Sequence, residues 1–171
     1  MNRFSVVSVI SFFLFLVFQV MLFKKLVLFN TAFCFLYIAY ILLLPIETNP
    51  LMLMLAGFGL GLLVDVFYDH QGMHAAATLA VAYIRNIWLN AVTPQGGYDS
   101  GATPTIGANG LNWFLGYAAP LVGMHHLILF FIDAGGFGLF WPTLAKALAS
   151  GFFTLTVLVM HQYFFIKSSR S

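Results

Sequence analysis

Five histidines and five acidic residues stand in a chain of 171 residues that is otherwise 61% hydrophobic and 7% charged. Ionisable groups in so apolar a sequence are costly, so each needs a reason. Gly57, Gly61, Asp65 and Asp69 follow one another at intervals of four. At about 100° per residue the set drifts across roughly 120° of one helix face. Glycines so spaced admit a second backbone, as in small-xxx-small contacts. Asp65 follows one turn later on that face. Its expected role is an anchor that bonds a neighbouring helix or a partner protein, the partner being the first reading. The plainer role is a hydrogen bond to a hydroxyl inside the bundle.

The next apolar stretch repeats the pattern. His74, Thr78 and Arg85 fall within about 40° of one another on a helix. Ala75, Ala76, Ala77, Ala80 and Ala82 make that helix thin and suited to close packing. His74 reads as a helix-start imidazole after the turn Asp69-His70-Gln71-Gly72. Arg85 reads as a side chain that snorkels to the membrane interface beside Trp88. Nearer the end, Lys146, Ser150, Thr154 and His161 fall within about 80° and form a polar seam expected to face the bundle. His125, His126 and Asp133 close the stretch before it. With Lys146 they form an expected outer polar cluster, hydrogen-bonded and partly hydrated.

Catalysis is not expected. There is no G-x-S-x-G and no Walker motif, and the loop glycines lack the following Lys-Ser/Thr of a phosphate loop. His70 and His74 have the spacing of paired metal ligands, but Gly72 lies between them in a turn, which argues against one shared helix face. There is no H-E-x-x-H. No metal site and no cofactor is expected.

The elements that must position these residues follow from composition. An average soluble domain is roughly 25% charged. A chain this poor in charge cannot cover a soluble surface, and seven basic residues at net charge +2 make no nucleic-acid-binding patch. The lone Cys34 excludes an internal disulfide. A hydrocarbon core about 30 Å thick takes roughly 20 apolar residues per helix, so six spans need about 120 residues. The sequence supplies them: Phe4 to Phe23, a second helix ending near Leu44, Leu51 to Tyr68, Met73 to about Val92, Leu111 to Ile132, and Pro142 to about Ile166. The first is too long for a signal-peptide core and is read as a retained span. Only Lys24 and Lys25 separate it from the next apolar run, so residues 24–32 are expected to be interfacial or re-entrant. Residues 93–110, rich in glycine, form the longest loop. Pro120 is expected to kink the fifth span. The whole of 1–171 reads as one all-α transmembrane domain of six helices. Arg3, Arg85, Lys167 and Arg170 fall on one side and Lys24, Lys25 and Lys146 on the other, which places both termini in the cytoplasm.

Gly57-Phe-Gly-Leu-Gly61-Leu-Leu-Val-Asp65, followed by Gly72-Met-His74-Ala75, resembles the rod shape-determining protein MreD family. Thr93-Pro-x-Gly-Gly-Tyr98 and Pro120…His125-His126…Phe131 are similar to its Bacteroidetes-type branch. The resemblance implies a non-catalytic scaffold of the bacterial cytoplasmic membrane. It would act in cell-wall elongation with a single-pass MreC-like protein, the actin-like MreB and the elongation synthases, its other contact being membrane lipid. The family's fold is also similar to the substrate-binding subunits of energy-coupling-factor vitamin transporters. That likeness implies the alternative function, a small-molecule-binding transport subunit.

Overall fold

The computed structural model describes residues 6–166. Arg3, Lys167 and Arg170, which enter the orientation argument, lie outside the described residues. The chain is mostly helical: α1 (Val6–Phe18) runs into a π-helical turn (Gln19–Phe23), then come α2 (Ile38–Leu43), α3 (Pro50–Tyr68), α4 (Met73–Ala91), α5 (Ile106–Asn109), α6 (Leu111–Asp133) and α7 (Phe140–Ile166). Two short strands, β1 (Val27–Leu28) and β2 (Ala32–Phe33), pair antiparallel, Val27 opposite Phe33 and Leu28 opposite Ala32.

Four helices are long and apolar enough to cross a membrane: Val6–Phe23, Pro50–Tyr68, Leu111–Asp133 and Phe140–Phe164. α4 is as long as α3, but His74, Thr78, Arg85 and Asn86 make it less apolar. It packs between α3 and α6, and α6 packs on α7. α1 lies at the periphery with Val6, Ile10, Phe13, Val17 and Phe18 exposed.

Local sequence sets the helix ends. Asn49 caps α3, its Oδ1 accepting from Leu51 N at 2.9 Å and Met52 N at 3.4 Å, with Pro50 at the first helical position. Asp69 ends α3 in the left-handed region at φ 57°, and Gly72 opens α4 at φ 87°. α6 continues through Pro120.

The expected second helix is not there. Between β2 and α2 the chain is irregular, and α2 has only six residues. Yet Cys34 to Leu42 is buried without a break, at the centre of the hydrophobic core. Non-helical backbone at membrane depth survives only where protein surrounds it and satisfies its polar groups. In place of six expected spanning helices there are four of full apolar character; α4, which is not one of the four, packs between α3 and α6, and residues 33–45 thread through the core.

Candidate functional site

The glycine face of α3 meets α4 of the same chain. A Cβ on Gly61 would lie 2.6 Å from both Ala75 Cα and His74 O. A Cβ on Gly57 would lie 3.2 Å from Ala82 Cβ. One turn beyond Gly61, the buried Asp65 accepts from His74 N at 3.0 Å and Ala75 N at 2.9 Å, one on each carboxylate oxygen. Asp65 thus caps α4 across the turn, where a carboxylate also meets the positive end of the helix dipole. The two glycines bring α4 close enough for that cap. Asp69 is exposed and contributes its backbone to the turn, donating its N–H to Asp65 O.

The polar stripe of α4 faces the threaded segment. His74, Thr78 and Arg85 are all fully buried. Tyr37 Oη lies 3.0 Å from His74 Nδ1, 2.6 Å from His125 Nε2 and 3.3 Å from Thr78 Oγ1. Tyr37 has one hydroxyl proton, so it donates to one imidazole and accepts from the other. Arg85 does not snorkel. Its guanidinium donates to the carbonyl of Leu44, with Leu42 O and Pro45 O each at 3.5 Å, while Nε donates to Tyr117 Oη at 2.9 Å. Tyr117 in turn donates to Leu42 O at 2.8 Å. The end of α2 has carbonyls with no intrahelical partner, and Arg85 and Tyr117 supply the donors.

The seam of α7 faces the other end of that segment. Ser150 Oγ accepts from Phe33 N and Thr154 Oγ1 from Phe35 N, each at 3.0 Å. The expected outer cluster is divided in two. His126 is buried against Thr154 Oγ1 at 3.0 Å and Val122 O at 2.8 Å, and His125 is held by Tyr37. Asp133 and Lys146 instead pair with each other near the surface at 3.1 Å, Lys146 lying over the Phe130 and Phe33 rings. Imidazoles in the interior and an ion pair in partial solvent are different environments, so the four residues do not form one site.

Gln19 is a further residue of this framework. Its side chain behaves as a missing strand: Nε2 donates to Cys34 O at 3.0 Å and Tyr68 Oη at 2.8 Å, and Oε1 accepts from Tyr37 N at 3.2 Å. Its signal was present, since it is the only amide side chain in the first apolar run. In the long loop, Tyr98 donates to Leu89 O at 2.9 Å and packs edge-on to Trp113, and burial pushes its hydroxyl above the usual tyrosine pKa. The turn after α3 also gathers His70: one ligand atom each from Asp65, His70 and His74 lie within 4.8 Å of one another. The glycine turn brings the two imidazoles together instead of separating them, their rings stacked at 5.3 Å and 12°.

Compared with protein-family models, with curated proteins and with solved structures, the chain matches none.

Proposed function

We propose that this protein is a non-catalytic scaffold of the bacterial inner membrane, of the rod shape-determining MreD type. It crosses the membrane six times, the second time through residues 33–45, of which only Ile38–Leu43 are helical. One observation carries this reading. The buried polar side chains Gln19, Arg85, Tyr117, Ser150 and Thr154 all bond to backbone of the same chain. Polar groups used in this way build a rigid framework. Apolar side chains on α1, α3 and α7 remain outward for lipid or for a partner's helix. The ordered motifs from Gly57 to Tyr98 support the family assignment, with an MreC-like single-pass protein as the direct partner and MreB and the elongation synthases beyond it.

A second reading rests on a groove of about 810 Å³ beside α1, lined by Ser8, Ser11, Phe15, Tyr40, Val157 and His161 among others. A pocket of that size, with a few polar groups in an apolar lining, suits a small molecule and favours the transport-subunit alternative, of the energy-coupling-factor type. Purification from native membranes in mild detergent separates the two. The scaffold brings an MreC-like chain with it, and depletion of the protein rounds the cells. Recovery of a nucleotide-binding ATPase pair with a coupling subunit, and unchanged cell shape, would overturn it.

A further inference from the structure

We propose that Asp65, His70 and His74 form a binding site for a divalent transition-metal ion of the zinc class, at the turn between α3 and α4. The inference is independent of the scaffold reading. Their ligand atoms already lie within 4.8 Å of one another. Zinc takes imidazole and carboxylate ligands at about 2.0–2.2 Å in tetrahedral geometry, which puts ligand atoms about 3.3 Å apart. Closing on an ion therefore asks the ligand atoms to draw together by about 1.5 Å and the two stacked imidazoles to turn until their lone pairs converge.

Capping explains Asp65 but not the imidazoles. His74 is fully buried, and its Nδ1 is engaged by Tyr37. Its ligand atom is then Nε2, which has no hydrogen-bond partner among the described residues; the same holds for His70 Nδ1. Buried polar atoms are ordinarily satisfied, and each exception calls for an explanation such as an ion. His70 and His74 each keep such an atom, and each has a ring nitrogen within 4.8 Å of an Asp65 oxygen, so one ion can explain both. Each Asp65 oxygen accepts one backbone N–H and keeps a lone pair.

The surroundings also fit. A metal-bound histidine ordinarily donates its other N–H to an oxygen, which fixes the tautomer and orients the ring. Tyr37 Oη can accept that bond, 3.0 Å from His74 Nδ1, when its own hydroxyl hydrogen is donated to His125 Nε2 at 2.6 Å. This arrangement leaves His74 Nε2 as a bare lone pair. Tyr68 and Phe35 pack their rings against His74 and limit the exchange of water. Two nitrogens and one carboxylate suit zinc, cobalt or nickel better than magnesium or calcium, which prefer all-oxygen shells. The bound ion would pin the end of α3 to the start of α4.

The test uses untagged, full-length protein in mild detergent, stripped with chelator and titrated with Co²⁺. The expected result is one equivalent bound with visible ligand-field bands, displaced by one equivalent of Zn²⁺. His70 is only partly buried, so His70→Gln retains the fold. It should weaken binding at least about 100-fold, since even outer-shell partners of a ligand contribute 10–100-fold. Asp69→Asn and His161→Gln should bind as the parent does. Absence of saturable binding by the parent overturns the proposal. So does undiminished affinity in a folded His70→Gln protein, or loss of binding in His161→Gln.

Discussion

At the scale of single residues, three glycines of α3 make a graded experiment. A Cβ on Gly59 would meet nothing within 4 Å, one on Gly57 would press on Ala82 Cβ at 3.2 Å, and one on Gly61 would strike backbone of α4 at 2.6 Å. Overpacking ordinarily costs about 1–3 kcal/mol, and backbone cannot step aside as a side chain can. Gly59→Ala should be neutral, Gly57→Ala mildly destabilising, and Gly61→Ala the most damaging. Thermal unfolding in detergent, followed by loss of the monodisperse chromatographic peak, should rank them in that order. Because the neighbour is α4 of the same chain, Gly61→Leu should deplete this protein itself and leave partner recovery per surviving molecule unchanged. Asp65→Asn belongs to the same argument. Both carboxylate oxygens accept backbone N–H groups, but an amide offers one acceptor and turns a donor toward the second N–H. A buried donor left unpaired costs about 1–3 kcal/mol. Asp65→Asn should therefore lower thermal stability clearly. A melting curve equal to that of the parent would show that the cap is dispensable.

At the scale of elements, the threaded segment depends on side chains far away in sequence. Gln19, Ser150 and Thr154 satisfy the backbone of residues 33–37, and Arg85 and Tyr117 satisfy that of residues 42–45. Gln19→Leu should leave Tyr37 N and Cys34 O without partners, and Thr154→Val should orphan Phe35 N. Each lost bond costs about 1–3 kcal/mol. Thr156→Val is the matched control, because Thr156 is exposed and bonds only within its own helix, to Phe152 O. Hydrogen exchange should rise at residues 33–37 in the first two variants and not in the third. The same partnership explains what the sequence could and could not reveal. α3, α4, α6 and α7 were legible to within two residues, because capping residues and glycine turns bracket them locally. Residues 33–44 were not, because apolarity reports depth in the membrane and not backbone conformation. Their partners lie 15 to 121 positions away. Gly61 and Asp65 were legible as a close-contact face, but the identity of the approaching helix was not. His70 was obscured because a turn, not one helix face, brings it to His74.

At the scale of the whole molecule, the two ends of the bundle differ in character, and that difference fixes how orientation can be measured. One end carries the loop 93–110, tied down by Tyr98 on Leu89 O and by Trp113 Nε1 on Val92 O at 2.8 Å, with Ala102 O accepting from Ile46 N at 2.9 Å. The other carries the turn after α3 and the Asp133–Lys146 pair, and there Lys24 donates to Phe67 O. The proposed topology puts the loop and both termini in the cytoplasm and the ion pair outside. Only one native thiol exists, and Cys34 is 1% exposed, so it offers little background to a labelling experiment. Position 101 is a poor place for a new thiol, because Gly101 has φ 75°, where an L side chain is strained. Ser100 is exposed and differs from cysteine by one atom, and Ala134 is exposed at the opposite end. With an impermeant maleimide on intact cells, Ala134→Cys should label and Ser100→Cys should not. After permeabilisation both should label, which shows that each thiol is accessible. The reverse pattern would invert the topology. It would place the α3–α4 turn, with Asp65, His70 and His74, on the cytoplasmic side, where the free concentration of transition metals is buffered to a different level.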